Sequence, residues 1–410
     1  LLLELVADIS TLAAGRSERV YLVGGVVRDL LLGYPNLDID LVVEGDAVGL
    51  ARGLAGTGKA KLLARHHFGT ATLKHGEFTV DMATARKETY ARPGALPEVA
   101  PGTIRDDLAR RDFSINAMAV ALSPDDHGEL IDLHGGRADL EQRLIRVLHP
   151  GSFRDDATRI LRGVRYEQRL GFEFEVQTAG LLRRDIPMLD TISGDRIRNE
   201  LELILDEKEP EYAIRRLDDL GVLPRLGLTT GVSDDIHEMF REARNPSRTG
   251  KLPTLYFCLL MYPTTVDELE VFITRFNMPS GPSRAMRDTL HLKNSLHLLQ
   301  RPSLKPSQVY GLLQEYVAPA IEANAIASES TAARGNLELF LTELRHVKSS
   351  LNGEDLQKLG IPPGPEMGRI LRALHRARLD GEVVNRIDEE RLACSLLAGN
   401  DNAEPQPQRE

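Results

Sequence analysis

The sequence predicts an α+β chain: a small head built on a mixed sheet, followed by an all-α neck, body and tail. Three observations carry that prediction. Short apolar runs separated by turn residues fill positions 20 to 84, the pattern of strands alternating with short helices. A breaker-rich stretch follows at 86 to 106. Beyond about Asp106 the periodicity is helical almost to the end.

Element by element, Tyr21-Leu22-Val23 is a short strand stopped by Gly24-Gly25, and Val26 to Leu32 is a helix ending at Gly33. Ile39 to Val43 is a second strand and Asp46 to Leu54 a second helix. Ala60 to Ala64, Thr70 to Lys74 and Thr79 to Ala83 are further strands. Residues 86 to 106 carry Pro93, Gly94, Pro97, Pro101 and Gly102. So many breakers predict a long loop without regular structure, of the kind that is usually functional or disordered. The helical remainder has an extended stretch near Leu130 to Leu133 and breaks at Asn245 to Gly250, Pro279 to Pro282 and Pro362 to Pro365. Asn400 to Glu410 is polar and proline-containing, and is expected to be disordered. No repeat of 20 to 50 residues is visible. The residues thus give a small α/β head, a long helical body and a disordered end at 401–410.

A chain of 410 residues has room for a head and further domains. No apolar run approaches the roughly 18 residues that cross a bilayer. The apolar opening, Leu1 to Leu5, lacks the basic flank and cleavage pattern of a signal peptide, and the absence of an initiator Met leaves open that the chain is a piece of a longer protein. Two cysteines, Cys258 and Cys394, make neither a disulfide framework nor a zinc motif, which favours a reducing, cytoplasmic setting. The net charge of −10 argues against a nucleic-acid partner taken over the whole surface. The arginines clustered between Arg105 and Arg169 make a local basic surface that RNA can use. With 5% aromatics and no Trp, base stacking is not the main mode of contact.

Three constellations carry chemistry. Gly24-Gly25 precedes a helix bearing Arg28, so backbone N–H groups and a guanidinium can meet a phosphate there. Ten residues on, Asp38 and Asp40 flank Ile39. On a strand they share a face, and paired carboxylates repel unless a cation such as Mg²⁺ lies between them. Asp81, in Val80-Asp81-Met82, is a candidate third carboxylate. Alone, Asp-x-Asp is as often a turn cap as a metal site; the combination is what is specific. The second constellation, Arg110-Arg111-Asp112 leading into Phe113-Ser114-Ile115-Asn116, is read as a helix start that can hold a triphosphate and a ribose hydroxyl. The third runs from Phe153 to Arg165. At about 100° per residue Ile160, Leu161 and Val164 share a core face. Arg159, Arg162, Arg169 and Asp155 oppose them, with Asp156 and Arg165 flanking. By itself that pattern fits a salt-bridged outer helix face better than a site.

Taken in order, GGVVRDLLLGYPNLDIDLV, RRDFSINAMA, DLHGGRADLEQRLIRVLHP and SFRDDATRILRGVRYEQRLGF resemble the class II tRNA nucleotidyltransferases, the bacterial CCA-adding enzymes and their poly(A) polymerase relatives. The resemblance covers roughly residues 20 to 205, and DLQKLGIPPGPEMGRILRALHRARLDGE is similar to the tail of the CCA-adding members. It implies a polymerase-β-like head at 1–148, a helical neck at 149–230 and a helical body and tail at 231–400, with Asp38 and Asp40 holding the metals, for which Mg²⁺ is the natural choice; Asp81 joins them as a catalytic candidate on its strand position alone. It implies nucleotide contacts from Gly24, Gly25, Arg28, Arg111, Arg162 and Arg165, a ribose contact from Asp112, and Asp156 and Arg159 facing the base. The family motif usually begins Glu-Asp-Pro where this chain has Asp155-Asp156-Ala157, which leaves Asp155 at most an orienter of Arg159. The implied function is addition of CCA to the 3′ end of tRNA from CTP and ATP, without a membrane. The 86–106 loop, associated in the family with adding the terminal A, is present. A-only or CC-only addition, poly(A) synthesis and a non-catalytic RNA-binding relative stay open. His66 and His67 are read as structural or exposed rather than as metal ligands.

Overall fold

A computed structural model describes residues 2–35, 38–66, 69–89, 91–92, 94–95, 97–228, 234–245, 252–301 and 303–398. The His67 ring, the His66 side chain and residues 399–410 lie outside the described residues, as do 246–250 of the expected break. The chain forms two compact units, Leu1–Thr229 and Thr230–Glu410.

The first unit begins with α1 (Leu2–Ala14), β1 (Arg19–Val23), α2 (Gly25–Leu32), β2 (Asp38–Glu44), α3 (Ala47–Gly56), β3 (Lys61–His66), β4 (Thr70–His75) and β5 (Phe78–Thr84). It continues with β6 (Arg86–Thr89), β7 (Glu98–Pro101), α4 (Ile104–Ala109), β8 (Met118–Ala121), β9 (Leu130–Asp132), α5 (Gly136–Gln142) and β10 (Leu144–Ile145). The neck adds α6 (Ser152–Asp155), α7 (Thr158–Leu170), β11 (Glu173–Phe174), α8 (Val176–Asp185), α9 (Gly194–Leu205), α10 (Pro210–Asp219) and α11 (Val222–Arg225).

Seven strands form the sheet in the order β3-β4-β5-β2-β1-β8-β9, and β2 against β5 is its parallel pair. The expected mixed α+β head is therefore the one observed. Period-two alternation sorts each strand between two faces. Ile39, Leu41 and Val43 of β2 are buried on the side where α3 packs, along with Leu73 and Val80. On the other side, Val42 joins Tyr21, Val23, Ala119 and Ala121 in a core closed by Ile104 and Leu108 of α4. Asp38 and Asp40 share that second face with Val42, where the strands run out beyond the core.

Two expectations are corrected here. Residues 86–106 are not a structureless loop. Arg86↔Pro101, Lys87↔Ala100, Glu88↔Val99 and Thr89↔Glu98 pair as an antiparallel hairpin, and Thr103 caps α4. Gly94 and Pro97 lie between the two strands and Pro101 is the last residue of β7, where proline's missing N–H is tolerated; Pro93 lies outside the described residues. Arg110-Arg111-Asp112 does not open a helix either: α4 ends at Ala109 with Arg110 as its C-cap, a short 3-10 turn covers Ser114–Asn116, and β8 follows. Cationic side chains at a helix C-terminus complement the dipole there.

The second unit is all helical: α12 (Asp234–Ala243), α13 (Leu252–Met261), α14 (Val266–Arg275), α15 (Ser280–Leu299), α16 (Pro306–Leu313), α17 (Ala318–Ala327), α18 (Thr331–Thr342), α19 (Gly353–Lys358), α20 (Pro365–Leu379) and α21 (Arg386–Ala398). Helices α15 to α18 share one apolar core, and α19 to α21 enclose a smaller one around Leu356, Ile370 and Leu374. Prolines mark helix starts: Pro306 and Pro365 lie in first turns, where an N–H would lack an intrahelical partner anyway. No helix of the described residues is long and apolar enough to cross a membrane.

Candidate active site

The site starts on β2. Parallel pairing sets Asp40 beside Asp81 of β5, and antiparallel pairing sets Asp81 beside Thr72 of β4. Thr72 Oγ1 donates to Asp81 Oδ1 at 2.6 Å. Asp40 opens to solvent at the mouth of a cleft and has protein packed behind it. That burial, with Asp81 and Asp38 adding repulsion against the pull of Arg111, pushes its carboxyl up to about 6. Such an excess of negative charge is what a divalent cation relieves. Among the described residues no three Asp, Glu, His or Cys side chains converge on one point. The donor set therefore fits an ion held by two carboxylates and completed by substrate oxygens and water.

Gly24 turns the chain from β1 into α2 with φ +74°, a conformation that suits glycine. A side chain there would meet Arg111: an added Cβ would lie 2.6 Å from its Nη1. Arg111 is held over this turn by Asp107, a fully buried carboxylate whose two oxygens are divided between neighbouring arginines. Oδ1 accepts from Arg110 Nη2 at 2.6 Å and Oδ2 from Arg111 Nη2 at 3.0 Å. Arg110 also reaches Glu88 of the hairpin at 3.2 Å.

Behind the turn stands a wall of arginines. Arg28, buried on α2, donates to Asn116 Oδ1 at 2.8 Å and pairs with Asp29. Asp112 Oδ1 accepts from the Phe113 N–H and from Asn116 Nδ2, and Oδ2 accepts from Arg162 Nε and Nη2. Burial would raise the Asp112 pKa, but Arg162 and these hydrogen bonds outweigh it and hold it below the ordinary range. All four of its acceptor positions are occupied, so contact with a ribose would require one of these bonds to open. The guanidinium carbons of Arg28, Arg162 and Arg165 lie 5.3, 5.9 and 5.1 Å from the centre of the Tyr166 ring, and Glu200 bridges Arg162 and Arg165.

A 670 Å³ cleft runs along this wall from Gly24, Gly25 and Asp40 to Asp156, Arg159 and Arg196. At its far end α6 stops at Asp155, Asp156 is extended, and α7 begins at Thr158. Asp155 and Asp156 thus do not continue the arginine-bearing helix, and the wheel that placed them on its outer face fails at this break. Nor is the whole stripe an outer face: Arg159 and Arg165 are each 5% exposed, while the Arg169 side chain is 44% exposed. Asp156, the C-cap of α6, accepts at the start of α7 from the Thr158 N–H at 3.0 Å and its Oγ1 at 2.6 Å. Its other oxygen accepts from Arg196 Nη2 at 2.7 Å. Arg159 donates to Ser152 Oγ at 2.6 Å and to the Arg110 carbonyl at 2.8 Å. Asp155 lies 3.5 Å from His149 Nε2; the hydrogen bonds that orient Arg159 come from Ser152 and Arg110.

Of the residues singled out in the sequence, Gly24, Gly25, Arg28, Asp40, Arg111, Asp112, Asp156, Arg159 and Arg162 line this one cleft. Asp81 lines an adjoining 410 Å³ cavity that shares Asp40, Arg110 and Arg111. Asp38 and Arg165 line neither cavity. Sequence reasoning gave no role to Tyr166, Arg196 or Glu200. Only Tyr166 left a trace, as the residue one turn after Arg162; the others reach the cleft from α9 through tertiary packing.

The mixed sheet, its carboxylate pair and the arginine-walled cleft define a nucleotidyltransferase head. Residues 20–146 match the family described as poly A polymerase head domain, and residues 171–227 match the probable RNA and SrmB-binding site of polymerase A. The A-adding tRNA nucleotidyltransferase of Halalkalibacterium halodurans is 35% identical over 94% of this chain and 90% of its own. That of Geobacter sulfurreducens is 36% identical over 92% of this chain, which spans only 45% of that longer protein. The Thermotoga maritima CCA-adding enzyme complexed with tRNA superposes with a TM-score of 0.74 at 32% identity, covering 97% of this chain and 95% of its own. Complexes of a CCA-adding enzyme with ATP and with CTP each superpose with a TM-score of 0.78. The chain belongs to the tRNA nucleotidyltransferase and poly(A) polymerase family.

Proposed function

We propose that this chain adds CCA to the 3′ end of tRNA from CTP and ATP, without a nucleic-acid template and with release of pyrophosphate. The observation that carries the reading is one cleft with a carboxylate-bearing strand at one end and the Asp156–Arg159 pair at the other. Cytosine offers an amino donor beside the N3 acceptor, and adenine an amino donor beside N1. An acid that accepts and an arginine that donates fit both bases. Uracil and guanine present the reverse pattern and would leave buried polar groups unpaired.

Asp38 and Asp40 would hold Mg²⁺, which when bound lowers the pKa of the attacking hydroxyl and stabilises charge on the phosphates. The chain's own groups position the substrates. The α2 N-terminus, Arg28 and Arg111 face the triphosphate, Arg162 is held ready by Asp112, and Asp81 lies beside Asp40 on the side of the adjoining cavity. Catalysis on this reading is mainly orientation and fixed electrostatics. The head at 1–148 carries the chemistry, the neck at 149–230 selects the base, and the helical body and tail at 231–400 hold the tRNA. A cytoplasmic setting suits two free cysteines, one of them, Cys258, buried.

A-only addition is the second reading, supported by the activity named for the Halalkalibacterium and Geobacter relatives. Three transcripts decide between them: tRNA lacking all three terminal nucleotides, tRNA lacking only the last A, and complete tRNA, each with CTP and ATP separately. CCA addition requires C incorporation on the shortest transcript. Addition confined to the second transcript establishes A-only activity, and long A-tails on unrelated RNA establish a poly(A) polymerase.

A further inference from the structure

We propose that Arg196 is a positioning residue for base selection: it fixes the orientation of the Asp156 carboxylate and thereby sets which bases the cleft accepts. The inference rests on the base-reading role of Asp156 and Arg159.

A carboxylate reads an amino donor only if a lone pair is held at a defined place. Asp156 has about four acceptor positions. Thr158 occupies two on Oδ1 through its N–H and hydroxyl, and Arg196 occupies one on Oδ2. One position on Oδ2 is left, beside Arg196. The Thr158 bonds alone anchor one oxygen of the group. The Arg196 bond at 2.7 Å pins the other, so the carboxylate plane is set from two separate elements, α7 and α9. Arg159 is pinned in the same way by Ser152 and the Arg110 carbonyl, which leaves its remaining N–H groups for the base. The two halves of the reader are thus held by four different parts of the chain before any nucleotide arrives. Arg196 comes from outside the motif that carries Asp156 and Arg159, forty residues along the chain.

Without Arg196 the carboxylate can turn about its Thr158 bonds, and the Thr158 hydroxyl can rotate to present a donor where an acceptor had been. Cytosine and adenine then lose their fixed partner, while uracil and guanine lose part of the mismatch that excludes them.

The test is single-nucleotide incorporation on tRNA lacking its last nucleotides, with CTP, ATP, UTP and GTP compared by kcat/KM for the parent, Arg196→Met and Arg196→Lys. The expected result for Arg196→Met is a fall of about tenfold or more for CTP and ATP and a smaller fall for UTP and GTP, with selectivity reduced by about tenfold. Arg196→Lys, which keeps the charge and also guards against a Met variant that fails to fold, should recover part of the selectivity. An equal fall for all four nucleotides, or unchanged selectivity in both variants, overturns the proposal. Asp156→Asn separates the two claims. If Asp156→Asn loses selectivity and the Arg196 variants keep it, only the positioning role fails. If Asp156→Asn itself discriminates like the parent, the base-reading assignment fails.

Discussion

The burial of Asp40 opposes the metal-holding role proposed for it. The proton it holds up to about 6 must leave before the carboxylate can bind a cation, and burial together with its acidic neighbours opposes that loss. The native pKa is raised above the unfolded value, so the folded state binds the proton more tightly. Its stability should fall as pH rises from about 4 to about 6, then level off. Asp40→Asn removes this strain. In metal-free protein it should gain about 1 kcal/mol at pH 7, a figure kept low because the group opens to solvent, and nothing at pH 4. Thermal melts across that range check the sign. Mg²⁺ should raise the melting temperature of the parent at pH 7 and leave Asp40→Asn unmoved. Gly24→Ala is the complementary test of the phosphate turn. With φ +74° and Arg111 Nη1 only 2.6 Å from the new methyl, it should cost about 1–2 kcal/mol in stability. Its kcat/KM should drop by more than tenfold, because Arg111 cannot stay over the turn.

At the scale of elements, α7 is where the residues proposed to select the base meet the core. Gly163 faces Phe174 and Phe113, and an added Cβ would come within 2.8 and 2.9 Å of their rings. Gly163→Ala should destabilise the protein by about 1–3 kcal/mol, read as a lower denaturation midpoint, since a filled core has no room to yield. The same helix shows what sequence could and could not reveal. Its core face was legible from Ile160, Leu161 and Val164, because periodicity of 3.6 is a local property. That Arg159 and Arg165 are buried was not, since the charged stripe by itself suits a solvated face better than a site. Asp112 and Glu200 decide the matter, and they arrive from elsewhere in the chain. The 86–101 hairpin was missed for a related reason. Its strands are four residues each and take their support from pairing and from the Glu88–Arg110 ion pair rather than from an apolar pattern.

The whole molecule is acidic, with a net charge of −10, yet its cleft is walled by arginine. Those arginines are engaged by Asp107, Asp112, Asp156 and Glu200, so few unneutralised positive charges stand there for a phosphate backbone. The cleft should therefore contribute little to the salt dependence of tRNA binding, so that Arg162→Met leaves the slope of log K against log salt nearly unchanged. Filter binding at several salt concentrations measures it. Asp40→Ala should abolish incorporation and leave that slope and the affinity nearly unchanged. Incorporation that survives this substitution would remove Asp40 from the metal site.

The sequence by itself determined the first strands and helices of the head from β1 to β5, the glycine turn, the paired carboxylates on β2 and the core face of α7. Each depends on residues close together in the chain, where periodicity and turn chemistry act. Tertiary structure decided which arginines face the cleft, how Asp112 is saturated, that Asp156 stands apart from the helix that follows it, and that Arg196 holds it. Those outcomes rest on charges brought together from up to fifty residues apart. No local pattern encodes which acid will meet which arginine; the packing of α7 against α9 and the head does.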